Sequence, residues 1–421
     1  MKALFSPPFV RVWLGGTASG LATWALPFVL GLAMLDGRLS AADLGLALAA
    51  RTIGFLVAVP IAGVLSDERG PRQIIFVSGV VAAGSIPIMI AGLYAHGVSG
   101  LLLLLAGASV IGVGQGACRP AYQAIIPEIV KSERLQAANA VMSIAVRVTS
   151  IFGPATISFV ALWSGTVAAF GVIALLWLAS ALMPPNVTGR STGLPRGEGL
   201  TFGRLVRDFC EGAREARGHP WFMAGLLSLT VTVAAGYSVT SVLLPGISQE
   251  AFGSAALMTS TATAYMVGAL AGALLMARWH PRRRGWVALA GLALYGLVPF
   301  SLLFADIRII PILAYFVAGL GIEIFNVPWF TSVQNEIPPN RLSRVSSIDF
   351  LFSYGLAPLG LALIAPLATV LGRDVLLICV GLACLFIPAA AALAPTARSF
   401  SKRHSPARGA SGEHGGHGDH L

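Results

Sequence analysis

Charge is scarce in this sequence. Only 11% of its 421 residues are Asp, Glu, Lys or Arg, where a soluble domain carries roughly a quarter. That leaves too little polar surface for a globule of this length in water. Lysine is almost missing, with only Lys2, Lys131 and Lys402 among 28 basic residues. Cysteine is scarce as well. Cys118, Cys379 and Cys384 lie in apolar runs and Cys210 in a polar stretch, a distribution that offers neither a disulfide framework nor a zinc cluster. Alternating apolar–polar runs are absent, which removes a membrane barrel. No P-loop, dinucleotide fingerprint or nucleophile–base set occurs, so the chain is expected to hold no cofactor, to be no enzyme, and not to use ATP by itself.

What is there in quantity is apolar: 56% of residues are hydrophobic and the mean hydropathy is +0.79. They come in runs of about twenty residues, the length of helix that crosses a bilayer core of about 30 Å. Inside lipid the backbone must bond to itself, and continuous runs do this as helices. Twelve spans are expected. Those of the first half are Val10 to Met34, Asp43 to Leu65, Ile74 to Tyr94, Gly100 to Ala124, Ala137 to Trp163 and Ser164 to Met183. Those of the second are Trp221 to Ile247, Ala255 to Ala277, Trp286 to Phe304, Ile309 to Thr331, Val345 to Leu371 and Val375 to Leu393. Lys2, Arg11 and two prolines precede the first run and no small-residue cleavage site follows promptly, so it reads as a retained span.

The net charge of +10 sets topology rather than binding nucleic acid, because the cations sit between apolar runs. With the N-terminus inside, only Arg38, Arg308 and Arg373 fall in outer loops, and Arg51, Arg119 and Arg147 fall within spans. All other basic residues are then on the cytoplasmic side, so both termini are expected there, in a multi-pass protein of the cell membrane. The expected units are a six-helix bundle over 1–183, a central cytoplasmic loop over 184–219, a second bundle over 220–394 and a disordered tail over 395–421. In the loop, Phe202, Leu205, Val206, Phe209 and Ala213 share one helical face. Arg204 with Asp208 and Arg207 with Glu211 are spaced for i,i+4 pairs. A short helix lying on the membrane surface is expected.

The halves echo each other. Pro120 and Pro328 are each followed eight residues later by a glutamate, Glu128 and Glu336, and then by Arg134-Leu135 and Arg341-Leu342. Internal duplication of this kind marks transporters whose halves rock about a site at mid-membrane. Between spans two and three stands Gly63-Val64-Leu65-Ser66-Asp67-Glu68-Arg69-Gly70-Pro71-Arg72. This resembles the signature loop of the major facilitator superfamily, with Gly63, Leu65, Asp67, Gly70 and Arg72 matching and Glu68 and Pro71 standing where basic residues are usual. The resemblance implies two pseudo-symmetric six-helix bundles and a gating role for Gly63, Asp67, Gly70 and Arg72, with Asp67 facing the start of span eleven near Ser343 to Ser347. Pro120 through Asn139 and the segment Glu211 to Trp221 are similar to the enterobactin-exporter and macrolide-efflux-like branch. Phe152-Gly153-Pro154-Ala155 resembles the antiporter motif of span five, without its further glycines. The basic position of the drug-efflux motif in span four falls on Gly112.

Ionisable groups inside spans are costly and usually face a cavity or a partner. Glu323 lies near mid-depth in span ten, and Gln115 is its repeat counterpart in span four. A carboxyl there can take a proton or a cationic substrate, or form a fixed pair with Arg147 that holds the halves together. Asp349 and Arg119 lie nearer the cytoplasmic side as gate or packing groups, and Arg51 meets either an anionic substrate or the headgroups. Coupling is therefore assigned to Glu323, Arg147, Asp349 and Arg119, and the cavity wall to Gln115, Trp24 and Tyr237. Phe28, Tyr265, Trp329 and Tyr354 are further aromatic candidates for stacking or packing. His414, His417 and His420 form a glycine-spaced tail without the second shell that a metal site needs. The expected function is proton-coupled efflux of a small amphipathic organic compound by a monomer. Proton-coupled import is the alternative, and a non-transporting sensor a more distant one.

Overall fold

The computed structural model describes residues 6–95, 97–186, 202–254 and 256–401. Residues 187–201 and the histidines of the tail lie outside the described residues. The regular structure among the described residues is helical throughout. Eleven helical stretches are long and apolar enough to cross a membrane. The longest runs over Ser132–Leu182 and would extend about 75 Å if straight, more than twice a bilayer core. It turns at Gly165, whose φ of +83° lies in the left-handed region open to glycine. That turn makes it two crossings, and the chain crosses twelve times.

The first half consists of α1 (Pro7–Leu35), α2 (Ala41–Arg69), α3 (Pro71–Tyr94), α4 (Gly97–Ile129) and α5 (Leu135–Leu182), which holds crossings five and six. The second half is less regular. Crossing seven is α7 (Pro220–Val231) and α8 (Ser238–Phe252), joined by a π-helical turn over Thr232–Tyr237. Next come α9 (Ala256–Arg278), then α10 (Arg284–Ala293) and α11 (Leu297–Ser301) as crossing nine, and α12 (Ile309–Glu336). Crossing eleven breaks at Leu356 into α13 (Leu342–Gly355) and α14 (Ala357–Leu371), and α15 (Arg373–Ala391) is the last. Local chemistry sets the ends. Ser40 and Asp43 form a reciprocal capping box on α2, satisfying amides that a helix start leaves bare. Gly70, at φ +89°, turns α2 directly into α3, which Pro71 opens.

Crossings two and four, and their repeats eight and ten, pack backbone to backbone. A Cβ added to Gly112 or Gly116 of α4 would lie 2.0 Å from the Arg51 carbonyl oxygen or 2.4 Å from that of Phe55, both on α2. At Gly268 and Gly272 of α9 it would lie 2.0 and 2.5 Å from the carbonyl oxygens of Phe316 and Leu320 on α12. Backbone contact between small residues is the main attraction open to helices in lipid, where burial from water drives nothing. Gly112 therefore carries structure where the drug-efflux motif has a cation.

The amphipathic helix α6 (Phe202–Arg217) differs from the expectation. Phe209 and Ala213 pack into the core of the second half, Ala216 is fully buried in it, and Val206 stays exposed. Arg204 does reach Asp208, at 3.6 Å, but Glu211 turns to Arg344 of α13 rather than to Arg207. The helix is seated on protein, across the ends of α2 and α13. Trp329, offered above as a stacking residue, is enclosed by Trp221, Phe222, Phe325 and Phe400 at ring separations of 5.0–5.7 Å and lines no cavity.

Gly112→Ala should place a methyl against the Arg51 carbonyl and destabilise the chain by about 1–3 kcal/mol. Gly84→Ala, where nothing lies within 4 Å, should leave the melting temperature in detergent unchanged or slightly raised. Equal melting of both variants would contradict the close α2–α4 contact.

Candidate functional site

Two sets of polar residues join the halves. The deeper one is Arg147 on α5 with Glu323 on α12. The guanidinium donates from Nε at 2.8 Å and from Nη2 at 2.5 Å to the same carboxylate oxygen, Oε1. The other oxygen, Oε2, is buried without a hydrogen-bond partner, and Glu323 as a whole is 1% exposed. One carboxylate oxygen thus takes both guanidinium bonds and the other takes none. One turn further along α5, Ser150 Oγ meets Met266 Sδ of α9 at 3.7 Å.

The remaining intramembrane charges separate. Asp349 accepts from Trp329 Nε1 at 3.1 Å and Ser353 Oγ at 3.2 Å, so it belongs to the aromatic cluster and is not paired with Arg119. Arg51 donates to Gln115 Oε1 at 3.0 Å and to the Thr23 carbonyl at 3.5 Å. Tyr237, on the π-helical turn, is 55% exposed and Tyr354 is 54% exposed. The Tyr354 hydroxyl nevertheless lies within electrostatic reach of Arg119 and Arg147 in the opposite half, and Tyr265 within reach of Arg147, Glu323, Tyr354 and Tyr237. Tyr237 and Tyr354 thus present accessible rings in the neighbourhood of the Arg147–Glu323 pair and Tyr265. Trp24 is partly exposed on α1, its Cβ within 3.3 Å of the place where a Gly153 side chain would start.

The second set seals the end of the molecule where α6 lies. Asp67 at the tip of α2 accepts from the backbone amides of Ser343 at 2.9 Å and Arg344 at 3.1 Å, the first amides of α13. A helix start leaves such amides bare and carries a positive end. Ser66 and Ser343 share a 2.9 Å hydroxyl contact, and a side chain at Gly63 would collide with Ser347. The departures in the signature loop have uses of their own: Glu68 meets Arg204 of α6 at 3.2 Å, and Pro71 occupies the first turn of α3. Arg72 lies over the Phe76 ring at 5.4 Å. From α6, Glu211 reaches Arg344 at 3.3 Å and Glu215 reaches Arg341 at 2.5 Å, so this helix grips one half through Glu68 and the other through α13.

Sequence reasoning missed a second lock. Gln136 Nε2 donates to the carbonyls of Met276 and Trp279 at the end of α9, at 3.0 and 2.7 Å. Asn139 donates to Thr331 and Gln334 of α12 at 3.0 and 2.8 Å, and Gln334 donates to Gln123 of α4 at 3.0 Å. The signal was in the repeat. Arg134-Leu135 corresponds to Arg341-Leu342, which makes Gln136 the counterpart of Ser343 and the end of α9 the counterpart of Asp67. Toward the opposite end, the polar side-chain contacts among the described residues stay within one half, as with Thr166–Asp36 and Arg373–Glu250. Among the described residues, the polar contacts that join the halves thus run from the Arg147–Glu323 pair to the α6 end.

Asp67→Asn removes the charge and one acceptor from the α13 amides. A hydrogen bond to a charged group contributes about 1.5–3 kcal/mol, so the α6-end-open state should rise about tenfold or more in population. The readout is alkylation of Ser346→Cys, now buried, in a chain stripped of its native cysteines. Unchanged alkylation at unchanged membrane insertion would show that Asp67 does not hold this seal.

Comparison with known proteins adds the fold's relatives. The crystal structure of the human organic anion transporter MFSD10 (TETRAN) superposes with a TM-score of 0.74 at 15% identity, covering 91% of this chain and 99% of the other. A bacterial homologue of the iron transporter ferroportin, solved in an outward-facing state, gives 0.73 at 15% identity, covering 91% and 98%. The proton:xylose symporter XylE, bound to 6-bromo-6-deoxy-D-glucose, gives 0.66 at 15% identity, covering 91% and 94%. At such identity these likenesses concern the fold. A comparison with curated protein sequences returns no match. The sequence profile of the Major Facilitator Superfamily matches residues 12–361. With that match over most of its length, the chain belongs to the Major Facilitator Superfamily, whose members are secondary transporters that carry small molecules across a bilayer by alternating access.

Proposed function

We propose that the chain is a proton-coupled carrier that exports a small amphipathic organic compound in exchange for protons, with Glu323 as the proton acceptor and Arg147 as its counter-charge. The observation that carries this reading is the inter-half ion pair with its unshared, buried Glu323 Oε2. With Glu323 ionised, the pair ties α5 to α12. A proton on Oε2 removes the charge, leaves Arg147 without its counter-ion and lets the helices part. Breaking a buried pair in this way costs about 3–5 kcal/mol when nothing replaces it, enough to move a two-state equilibrium decisively. The α6 end is assigned to the cytoplasm because loop arginines concentrate there. Export is supported by the resemblance of Pro120 through Asn139 and of Glu211 to Trp221 to exporter segments.

The same Arg147–Glu323 pair supports a second reading, inward co-transport. A protonated Glu323 frees Arg147 to hold an anionic substrate, so proton and substrate would bind together rather than in turn. A protonophore separates the two in cells expressing the chain. Cellular accumulation of a carried dye should rise if the protein exports and fall if it imports.

Glu323→Gln should abolish the dependence of transport on an imposed pH gradient while leaving the protein inserted, with at least a tenfold loss of gradient-driven flux in proteoliposomes. Gradient-driven transport at the wild-type rate in this variant would remove Glu323 from the coupling.

A further inference from the structure

Of the five ionisable side chains within the spans, Arg147 is matched by Glu323, and Asp349 is taken up by Trp329 and Ser353. That leaves Arg51 and Arg119. Among the described residues neither is in an ion pair with a carboxylate. The bonds of Arg51 go to neutral acceptors, Gln115 Oε1 and the Thr23 carbonyl, and occupy two of its five N–H donors. Arg119 stands four residues beyond Gln115 on α4, hence one turn away on the same face, near enough to Arg51 for the two charges to repel.

Two uncompensated cations at membrane depth are expensive, by several kcal/mol each. Reaching outward to headgroups does not relieve Arg51. It stands ten residues into α2, about 15 Å from its start, and its guanidinium is held inward on the middle of α4. In the opposite half Tyr354 lies within electrostatic reach of Arg119 and Arg147, and the exposed Tyr237, like Tyr354, within reach of Tyr265. Guanidinium donors in the first half and accessible aromatic rings in the second suit a ligand with an anionic head and an apolar body.

We infer that the transported compound is an amphipathic organic anion, its carboxylate, sulfonate or phosphate held by Arg51 and Arg119 and its apolar part resting on Tyr237 and Tyr354. The inference rests on the carrier reading above and adds the charge of what is carried. With two cations already present, a neutral or cationic compound would leave both unmatched, whereas a monoanion matches one and a dianion both.

The test uses the full chain purified in a neutral maltoside, with 2-naphthoate, 2-naphthalenesulfonate and 2-(aminomethyl)naphthalene as probes and thermal stabilisation as the readout. Both anions should raise the melting temperature and the amine should not. Arg51→Gln and Arg119→Gln should each weaken anion binding at least tenfold, with Arg51→Lys retaining part of it. Equal stabilisation by the amine overturns the proposal even if the arginine variants fail to fold. A lipid could supply the same anionic group, so the titration is repeated in nanodiscs of phosphatidylcholine with and without phosphatidylglycerol. Naphthoate affinity unaffected by phosphatidylglycerol supports a soluble substrate. Competition that disappears in Arg51→Gln assigns the site to a headgroup and overturns the proposal. The Glu323→Gln flux measurement is independent of these arms: lost anion preference with gradient-driven transport intact defeats this inference alone.

Discussion

The closed end of the molecule depends on one acceptor meeting two amides. The first turn of a helix has N–H groups that the helix itself cannot satisfy, and away from water each bare group costs free energy comparable to a lost hydrogen bond. The Ser343 and Arg344 amides are such groups, and their acceptor, Asp67, comes from the other half of the chain. They are satisfied without water only while the halves meet at this end. A seal built in this way is conditional on conformation: parting the halves must hydrate both the carboxylate and the helix start, and closing must dry them again. Gly63 serves the same contact by letting α13 come close enough for the bonds to form.

The duplicated fold offers a twin of this site and fills it with different chemistry. At the end of α9 no carboxylate stands where Asp67 would be, and the loop that follows holds Arg282 and Arg283, with Arg284 opening α10. There the bare groups are carbonyls at a helix C-terminus, and the matching donor is the neutral amide of Gln136. One seal thus uses a charge and the other does not. The charged one is also where α6 attaches, through Arg204 to Glu68 and through Glu211 to Arg344. The linker between the halves therefore reinforces the contact whose strength depends most on its electrostatic surroundings.

The twelve crossings were legible because membrane helices carry their own signal: length, apolarity and the sidedness of arginine. Their irregularities were not. The π-helical turn at Thr232–Tyr237 and the break at Leu356 leave apolar runs unbroken, so hydropathy passes over them. The repeat at Pro120 and Pro328 located Glu323 opposite Gln115 in register. It also contained Gln136 and Asn139, but a polar residue at a span end reads as the start of a loop until its partner is seen. Trp329 shows the opposite failure. Its type suggests a stacking platform, yet whether an indole faces a cleft or a core of other rings depends on neighbours as distant in sequence as Trp221 and Phe400. The seat of α6 was missed for a similar reason. An apolar stripe flanked by arginines suits a headgroup layer as well as it suits the ends of α2 and α13, and only the positions of Glu68 and Arg344 distinguish the two.

The deep pair and the seals cannot move independently, because they ride on the same two helices. Helix α5 carries Gln136, Asn139 and, about 12 Å further along its axis, Arg147. Helix α12 carries Glu323 and then Thr331 and Gln334, which Asn139 holds. A rigid α5 would convert any shift at Arg147 into a shift at Asn139. On α12 the connection is softer, since Pro328 lies between Glu323 and Thr331. Its ring has no amide to offer the Ile324 carbonyl and disfavours a straight helix at that point. Bending there would let the Glu323 side of the helix turn away from α5 before the Gln334 side releases Asn139. In that order the Asn139 contacts would still hold the α6 end together while the deep pair loosens. The proline at the same repeat position in α4, Pro120, sits between Gln115 and Gln123, where it gives the facing half the same point of bending.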